Sequence, residues 1–333
     1  MITFVLPCYC STILKSQISN GGMLMVFLHK ILWKTVGAGA VFAVLLSIGS
    51  AQTMAKNISA KDMANITDAA YYVIKKKYRK KRTPSGFYLL KYYRDKSGVD
   101  ASVFIHKKTD AVALAFAGTQ PSDPRDVLAD LGLAKKEINA ALGHLLEKMV
   151  DGAKMPKLAK KGFKATIKKI YKIKKTAKKS TANKILNKGP KPSKKLRRQI
   201  DAALAIVDKV AKLKKKNGQM IKLSEIQVVG HSLGGYLTQI VTVQKKVKRG
   251  IAFNPPGAGG YLKNAGKPKN LTIYSRKSDI VGRFGKHVGR MYLYKDVKFN
   301  WKNFKKNWLL ENHGSGSLKK DLRKGMKPYK RIK

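Results

Sequence analysis

Residues 230–235 read Gly-His-Ser-Leu-Gly-Gly, so they contain the pattern G-x-S-x-G, directly after an apolar run and directly before a helical pattern. A strand-to-helix turn of this kind needs its two glycines, because bulky side chains there would collide with the adjoining strand and helix. The turn would present the Ser232 hydroxyl above the edge of a sheet, beside a helix N-terminus that favours negative charge. The pattern therefore predicts a serine nucleophile for acyl transfer. The alternative is an ordinary glycine-rich turn.

A serine hydroxyl is a poor nucleophile until a base removes its proton, and that base needs an orienting acid. The acids downstream of Ser232 are few, and Asp279 lies shortly after the predicted strand over residues 271–275, at the expected carboxyl end of that strand. Asp279 is therefore the predicted acid, with a solvated loop aspartate as the alternative. Two histidines follow Ser232, namely His287 and His313, and either one could be the base.

The hexapeptide at residues 230–235 resembles the nucleophile turn of lipases among the α/β-hydrolases, most closely the fungal-type, or class 3, lipases and their bacterial relatives. Three other segments are similar to that family in the same order: residues 115–119, 253–257 and 278–281. One departure is Ala117, which stands where the family usually has arginine. The resemblance covers about residues 85–135 and 220–318.

The resemblance implies roles for particular residues. The family's histidine comes from the loop after the last strand, so His313 is the expected base, while His287 stays the alternative. The oxyanion would be held by the backbone N–H of Leu233 and, by resemblance, by Thr119. His231 is expected to support the turn. No metal or organic cofactor is needed for this chemistry.

Hydrophobic periodicity predicts strands that alternate with helices or long crossovers, which is typical of an α/β fold with a mostly parallel central sheet flanked by helices. Helices are predicted over 58–79, 126–150, 193–213 and 233–245. Strands are predicted over 99–105, 111–117, 226–229, 250–254, 271–275 and 291–297. The lipase-like domain is expected to span 52–318, with a Lys-rich helical insertion at 154–216 and a basic, frayed tail at 319–333.

The N-terminal 51 residues contain no acid, and Lys30 and Lys34 precede an apolar run of 13 residues and then Gly49-Ser50-Ala51. This layout predicts a secretory signal peptide over residues 1–51 and an exported protein, periplasmic or secreted. An uncleaved amino-terminal anchor is the alternative. The two cysteines, Cys8 and Cys10, exclude a disulfide-rich scaffold and a multi-cysteine zinc site.

The chain carries 71 Lys and Arg residues against 18 Asp and Glu, a formal net charge of +53. Such a charge favours anionic partners and does not define a fold. Three interpretations stay open: a solvated basic face, docking on an anionic membrane surface, and nucleic-acid binding, which electrostatics would produce non-specifically at low salt. The last lacks support from a motif or from interleaved aromatic residues.

Together these features predict a serine hydrolase that cleaves carboxylic esters of lipids, as a lipase or phospholipase A would. The positive charge favours phospholipid over triglyceride. The alternative is a non-catalytic cationic protein that uses a hydrolase scaffold to bind anionic membrane or nucleic acid.

Overall fold

The fold is taken from a computed structural model of the full chain. It describes residues 56–73, 75–118, 157–170, 192–263, 265–277, 279, 281–296, 313–325, 328 and 330–332, together with six residues between 139 and 151. These residues belong to one compact unit, Ala55–Lys333. The predicted signal peptide or anchor at residues 1–51 lies outside the described residues. So do most of the predicted helix over 126–150 and the centre of the predicted insertion.

The described helices and strands alternate along most of the chain, as the periodicity predicted. The helices are α1 (Ala60–Ala70), α2 (Arg79–Arg82), α3 (Lys157–Ile170), α4 (Lys194–Val210), α5 (Leu233–Gln244) and α6 (Ser315–Arg323). The strands are β1 (Phe87–Arg94), β2 (Asp100–His106), β3 (Val112–Phe116), β4 (Ile226–His231), β5 (Arg249–Phe253), β6 (Leu271–Arg276), β7 (Arg290–Tyr294) and β8 (Lys330–Ile332). Short 3-10 turns cover Lys76–Tyr78, Leu223–Glu225 and Val281–Arg283.

The eight strands form one sheet in the order β1 to β8. Strands β3 to β7 are parallel to one another, whereas β1, β2 and β8 pair in the antiparallel sense. This confirms the α/β class with a mostly parallel sheet. Because parallel strands end at the same edge, the segments after β3, β4, β5 and β6 meet there.

Helices cover both faces of the sheet. On one face α4 and α5 pack over a cluster that includes Leu114, Val228 and Ile240. On the other face α1 packs over Phe104 and Ala113. Since β4 is buried along its whole length, a continuous apolar run rather than an alternating one marks it in the sequence.

Helix α1 begins after its N-cap residue Ser59, whose hydroxyl accepts a hydrogen bond from the Asp62 amide. It ends at Ala70 rather than continuing to residue 79 as predicted. Seven of the eight residues from 75 to 82 are Lys or Arg, and like charges three or four residues apart destabilise a helix. This stretch therefore forms only a 3-10 turn and the four-residue helix α2 in place of a continuation of α1.

Two segments of the C-terminal region, 315–323 and 330–332, form a helix and a strand where a frayed tail was predicted. Helix α6 buries Leu318 completely in the same cluster as α1, and β8 pairs with β7. Two ion pairs hold the helix: Lys319 with Asp68 at 2.8 Å, and Arg276 with Asp321 at 2.7 Å. Among the described residues, no helix is long and apolar enough to cross a membrane.

The substitution Leu318→Ala tests whether α6 is part of the core. We expect it to lower the free energy of unfolding by about 2–5 kcal/mol, because a buried leucine side chain would leave a cavity. The matched control is Leu158→Ala, since Leu158 is 82% exposed on α3 and its loss should change stability by less than about 0.5 kcal/mol. Chemical denaturation measures both values, and equal effects would show that α6 does not pack as described.

Candidate active site

Ser232 lies at the turn between β4 and α5 in a backbone conformation that L-residues rarely adopt. Its φ and ψ are 56° and −125°, and its amide donates a hydrogen bond to the Phe253 carbonyl at 3.0 Å. Residues in such regions persist only where the surroundings enforce them, and they concentrate at functional sites. The strained conformation thus marks Ser232 as a positioned side chain.

The glycines on either side of Ser232 are required by close backbone contacts. A Cβ at Gly230 would lie 2.3 Å from the carbonyl of Gly234, and a Cβ at Gly234 would lie 2.2 Å from the Phe116 carbonyl oxygen. No side chain fits at such distances. Helix α5 can therefore approach β3 and β4 closely enough to place its N-terminus behind Ser232, as the sequence predicted.

His313 contacts Ser232 although the two residues are 81 positions apart in the sequence. Its Nε2 lies 2.9 Å from the Ser232 hydroxyl oxygen, and its Nδ1 lies 2.9 Å from Asp279 Oδ1. All three side chains are buried, with 0% of Ser232, 0% of Asp279 and 5% of His313 exposed. The structure thus joins the three predicted residues in one hydrogen-bonded chain.

Asp279 follows β6, and its carboxylate is fixed by backbone donors. The Val281 amide donates to Oδ1 and the Gly282 amide donates to Oδ2, each at 3.1 Å. A carboxylate that accepts these bonds is held in place as an acceptor for the His313 Nδ1–H. This is the arrangement that orients an imidazole with Nε2 facing a hydroxyl.

The backbone of His313 is anchored by two side chains from strand ends. His231 Nε2 lies 2.6 Å from the His313 carbonyl oxygen, and Asn254 Nδ2 donates to the same oxygen at 2.7 Å. Asn254 has a positive φ of 45° and also accepts the Arg276 amide. His231 was expected to support the nucleophile turn. In the structure its side chain bonds the backbone of His313, the expected base. Asn254 was not identified from the sequence, although it stands in the predicted segment 253–257.

Tyr71, just past the C-terminus of α1, extends this network. Its hydroxyl lies 2.9 Å from His231 Nδ1 and also bonds the backbone of Gly118. Because the His313 carbonyl can only accept, His231 carries its proton on Nε2, and Tyr71 donates to Nδ1. Burial, and secondarily the neighbouring His313, lowers the pKa of His231 from 6.5 to about 3, so the ring stays neutral. Sequence analysis missed Tyr71 because no local motif marks it.

The oxyanion donors are only partly described. The amide of Leu233 stands in the first turn of α5, where N–H groups have no acceptor within the helix. Gly118 lies beside the nucleophile, since a Cβ there would be 3.3 Å from the Ser232 Cβ. Thr119, the other predicted donor, lies outside the described residues, so its role stays a prediction.

His287, the alternative base, is placed elsewhere. Its Nε2 donates to the Gly282 carbonyl at 2.7 Å. The amide of Gly282 in turn donates to the Asp279 carboxylate. His287 therefore packs behind the acid and does not contact Ser232. Burial lowers the pKa of His287, which favours this neutral donor role.

The site as described is closed over its nucleophile. Because Ser232 is fully buried, a substrate carbonyl can reach its hydroxyl only after part of the surrounding protein moves. Within the described part of the chain, no group of three or more His, Cys, Asp and Glu side chains could hold a metal ion. The arrangement can deprotonate a serine and stabilise the resulting imidazolium.

No protein-family model matches the sequence, and no curated protein matches it. Solved structures do match: the chain is similar to fungal class 3 lipases. A lipase–propeptide complex from Rhizomucor miehei shares 15% identity over 72% of this chain and 69% of its own, with a TM-score of 0.38. Lip2 lipase from Yarrowia lipolytica shares 12% identity over 71% and 77%, with a TM-score of 0.35. A triacylglycerol lipase from Penicillium expansum shares 14% over 71% and 78%, with a TM-score of 0.32.

The substitution His231→Gln tests whether residue 231 is buried as a neutral ring. The unfolded chain binds a proton at this histidine near pH 6.5, whereas the folded chain does so only near pH 3. The wild type should therefore lose stability as the pH falls below 6.5, by up to about 1.4 kcal/mol per pH unit from this group.

Denaturation of both proteins at several pH values measures the difference between them. The variant should be less stable than the wild type at pH 7, and the gap should narrow as the pH falls toward about 4. A gap that does not change with pH would contradict the assignment of a buried neutral histidine.

Proposed function

We propose that the protein is a serine hydrolase that cleaves carboxylic esters through Ser232, His313 and Asp279. The observation that carries the proposal is the hydrogen-bonded chain from the Ser232 hydroxyl through the His313 ring to the Asp279 carboxylate, with 2.9 Å at each step. The sheet order and the position of the nucleophile after β4 support assignment of the fold to the α/β-hydrolases.

The proposed reaction begins when His313 Nε2 takes the Ser232 proton as the serine oxygen attacks the ester carbonyl. Asp279 stabilises the imidazolium that forms. Negative charge develops on the former carbonyl oxygen, where the Leu233 amide, the dipole of α5 and, by resemblance, Thr119 stabilise it.

Collapse of this intermediate breaks the ester bond, and His313 gives its proton to the leaving alkoxide. This step leaves an acyl group on Ser232. Water then attacks the acyl-enzyme with His313 again as base, releasing the carboxylic acid and restoring the serine.

Lipid esters are the proposed substrates. The likeness of residues 230–235 to the lipase turn supports this class. The net charge of +53 favours phospholipid over neutral triglyceride. Export, or retention by an amino-terminal anchor, is part of the same proposal and depends on residues 1–51.

Fluorophosphonate labelling tests the nucleophile directly. Trypsin should release residues 223–245 as one peptide that contains both Ser224 and Ser232, so fragmentation of that peptide distinguishes the two. We expect the label on Ser232 alone. Ser232→Ala should abolish labelling, because the nucleophilic oxygen is lost. His313→Ala should slow labelling at least about 100-fold, because the serine loses its base.

Ser224→Ala is the matched control within the same peptide and should label like the wild type. Absence of labelling in the wild type, in buffer and with added anionic micelles, would contradict the proposal. The cationic binding protein on a hydrolase scaffold would then be the better interpretation.

Substrate class can be measured by comparing hydrolysis of phosphatidylglycerol vesicles with hydrolysis of tributyrin. We expect a preference for the vesicles at low salt that shrinks as salt is added, because ions screen attraction between exposed charges. A preference that salt leaves unchanged would show that charge does not select the substrate.

A further inference from the structure

A groove rich in cations lies at the free edge of the sheet, between α2 and β1. It has a volume of about 740 Å³ and is lined by Arg79, Lys80, Thr83, Leu89, Leu90, Lys91, Tyr92 and Arg94. No acid is among these lining residues. We call this feature the edge groove. Its lining would attract an anionic partner.

One contact between a cation and an aromatic ring lies within the edge groove, and two more lie in the preceding segment, residues 72–82. The guanidinium of Arg79 lies 4.2 Å from the centre of the Tyr92 ring and also donates to the Val73 carbonyl. Nearby, Arg82 lies 4.5 Å from the Tyr72 ring and Lys77 lies 5.0 Å from the Tyr78 ring. These contacts hold the charges on a fixed surface.

A bulge in β1 places Leu89 and Tyr92 on the same face of the strand. The pairing with β2 shifts between Leu89 and Lys91, so the extra residue reverses the alternation of side chains along the strand. As a result, both Leu89 and Tyr92 line the groove.

Arg94, one of the residues that line the edge groove, lies at the same end of the strands as the candidate active site. Arg94 of β1 pairs with Asp100 of β2. The Asp100 carbonyl accepts a hydrogen bond from the amide of Ala117. The next residue, Gly118, lies beside Ser232. At ordinary strand spacing, β1 is about 14 Å from β4. One flat surface could therefore contact the groove and face the nucleophile together.

We propose that the edge groove docks the protein on the phosphate groups of an anionic phospholipid bilayer, with the active-site edge toward the lipid. The inference rests on the proposed lipid-ester hydrolase function. Tyr92, 37% exposed among cations, has the amphipathic character of residues at the membrane interface. The Arg79 guanidinium lies over one face of the Tyr92 ring, which leaves less of that ring for stacking of a nucleic-acid base.

The ion pair between Arg94 and Asp100 does not remove the groove's charge. The two side chains are 3.3 Å apart, and Arg94 is 69% exposed, so the pair is weak and can exchange for a lipid phosphate. Lys80 and Lys91 are also exposed, and both face the groove.

The test measures binding of the full chain, as Ser232→Ala, to sedimented vesicles of phosphatidylglycerol and phosphatidylcholine. The Ser232→Ala background prevents hydrolysis, so binding is read independently of the proposed function. The groove variant carries Lys80→Gln, Lys91→Gln and Arg94→Gln. The matched control carries Lys107→Gln, Lys108→Gln and Lys267→Gln, three exposed lysines at the strand ends far from the candidate active site, with the same loss of charge.

We expect the groove variant to bind anionic vesicles about 100-fold more weakly, at about fivefold for each cation removed, and the control to change by less than about threefold. In the Ser232 background, both triple variants should hydrolyse a soluble p-nitrophenyl ester at the parent rate, which shows that they fold. Equal loss of vesicle binding in both variants would overturn the proposal, since charge would then act without a docking site.

A single-stranded oligonucleotide is the second probe. If the groove variant lost oligonucleotide binding more than vesicle binding, the edge groove would be a nucleic-acid site and the bilayer proposal would be wrong. If vesicle binding depends on the groove but the soluble ester is not hydrolysed by any form with Ser232, docking stands and the hydrolase proposal fails.

Discussion

The candidate site depends on the backbone conformation of Ser232. A positive φ at a non-glycine residue costs about 1–3 kcal/mol, so other parts of the fold must enforce it. Here the enforcement comes from α5, which can approach β3 and β4 because Gly230 and Gly234 present no side chain. Any enlargement of either glycine would move the helix away and release the serine from its position.

A second group of contacts holds the base in place. His313 lies just before α6, far from Ser232 in sequence, and its position is set by packing of α6 against α1 and by the hydrogen bonds that His231 and Asn254 donate to its carbonyl. The same His231 accepts from Tyr71, whose hydroxyl also meets Gly118. One neutral imidazole therefore links the segment after β3, the nucleophile turn and the loop of the base. Protonating that ring would disturb all three.

Much of this arrangement could be predicted where the pattern is local. Buried parallel strands read as continuous apolar runs, and the glycine spacing at residues 230–235 indicated a sharp turn, so the sheet and the position of Ser232 followed from the sequence. Strand β1 was missed because its bulge at Leu90 breaks the alternation expected of an edge strand. Helix α6 was mistaken for part of a frayed tail because eight of the fifteen residues from 319 to 333 are Lys or Arg. The burial of Leu318 and the ion pairs of Lys319 and Asp321 show that the helix is packed.

The remaining site residues could not be derived from spacing alone. The choice of His313 over His287 came from resemblance to the lipases, since both histidines follow the acid, and their hydrogen-bond partners separate them only in three dimensions. Tyr71 and Asn254 act through tertiary contacts that no short motif encodes. The charge of the chain favours anionic partners but indicates no position for them. The edge groove between α2 and β1 is the position that we propose.

A crystal structure of the protein after reaction with a phosphonate ester would test the central claim most directly. The account predicts a phosphorus atom bonded to the hydroxyl oxygen of Ser232, a phosphonyl oxygen within hydrogen-bond distance of the Leu233 amide, and the His313 ring between that serine and the Asp279 carboxylate. An adduct on another residue, or an imidazole of His313 turned away from both partners, would contradict it.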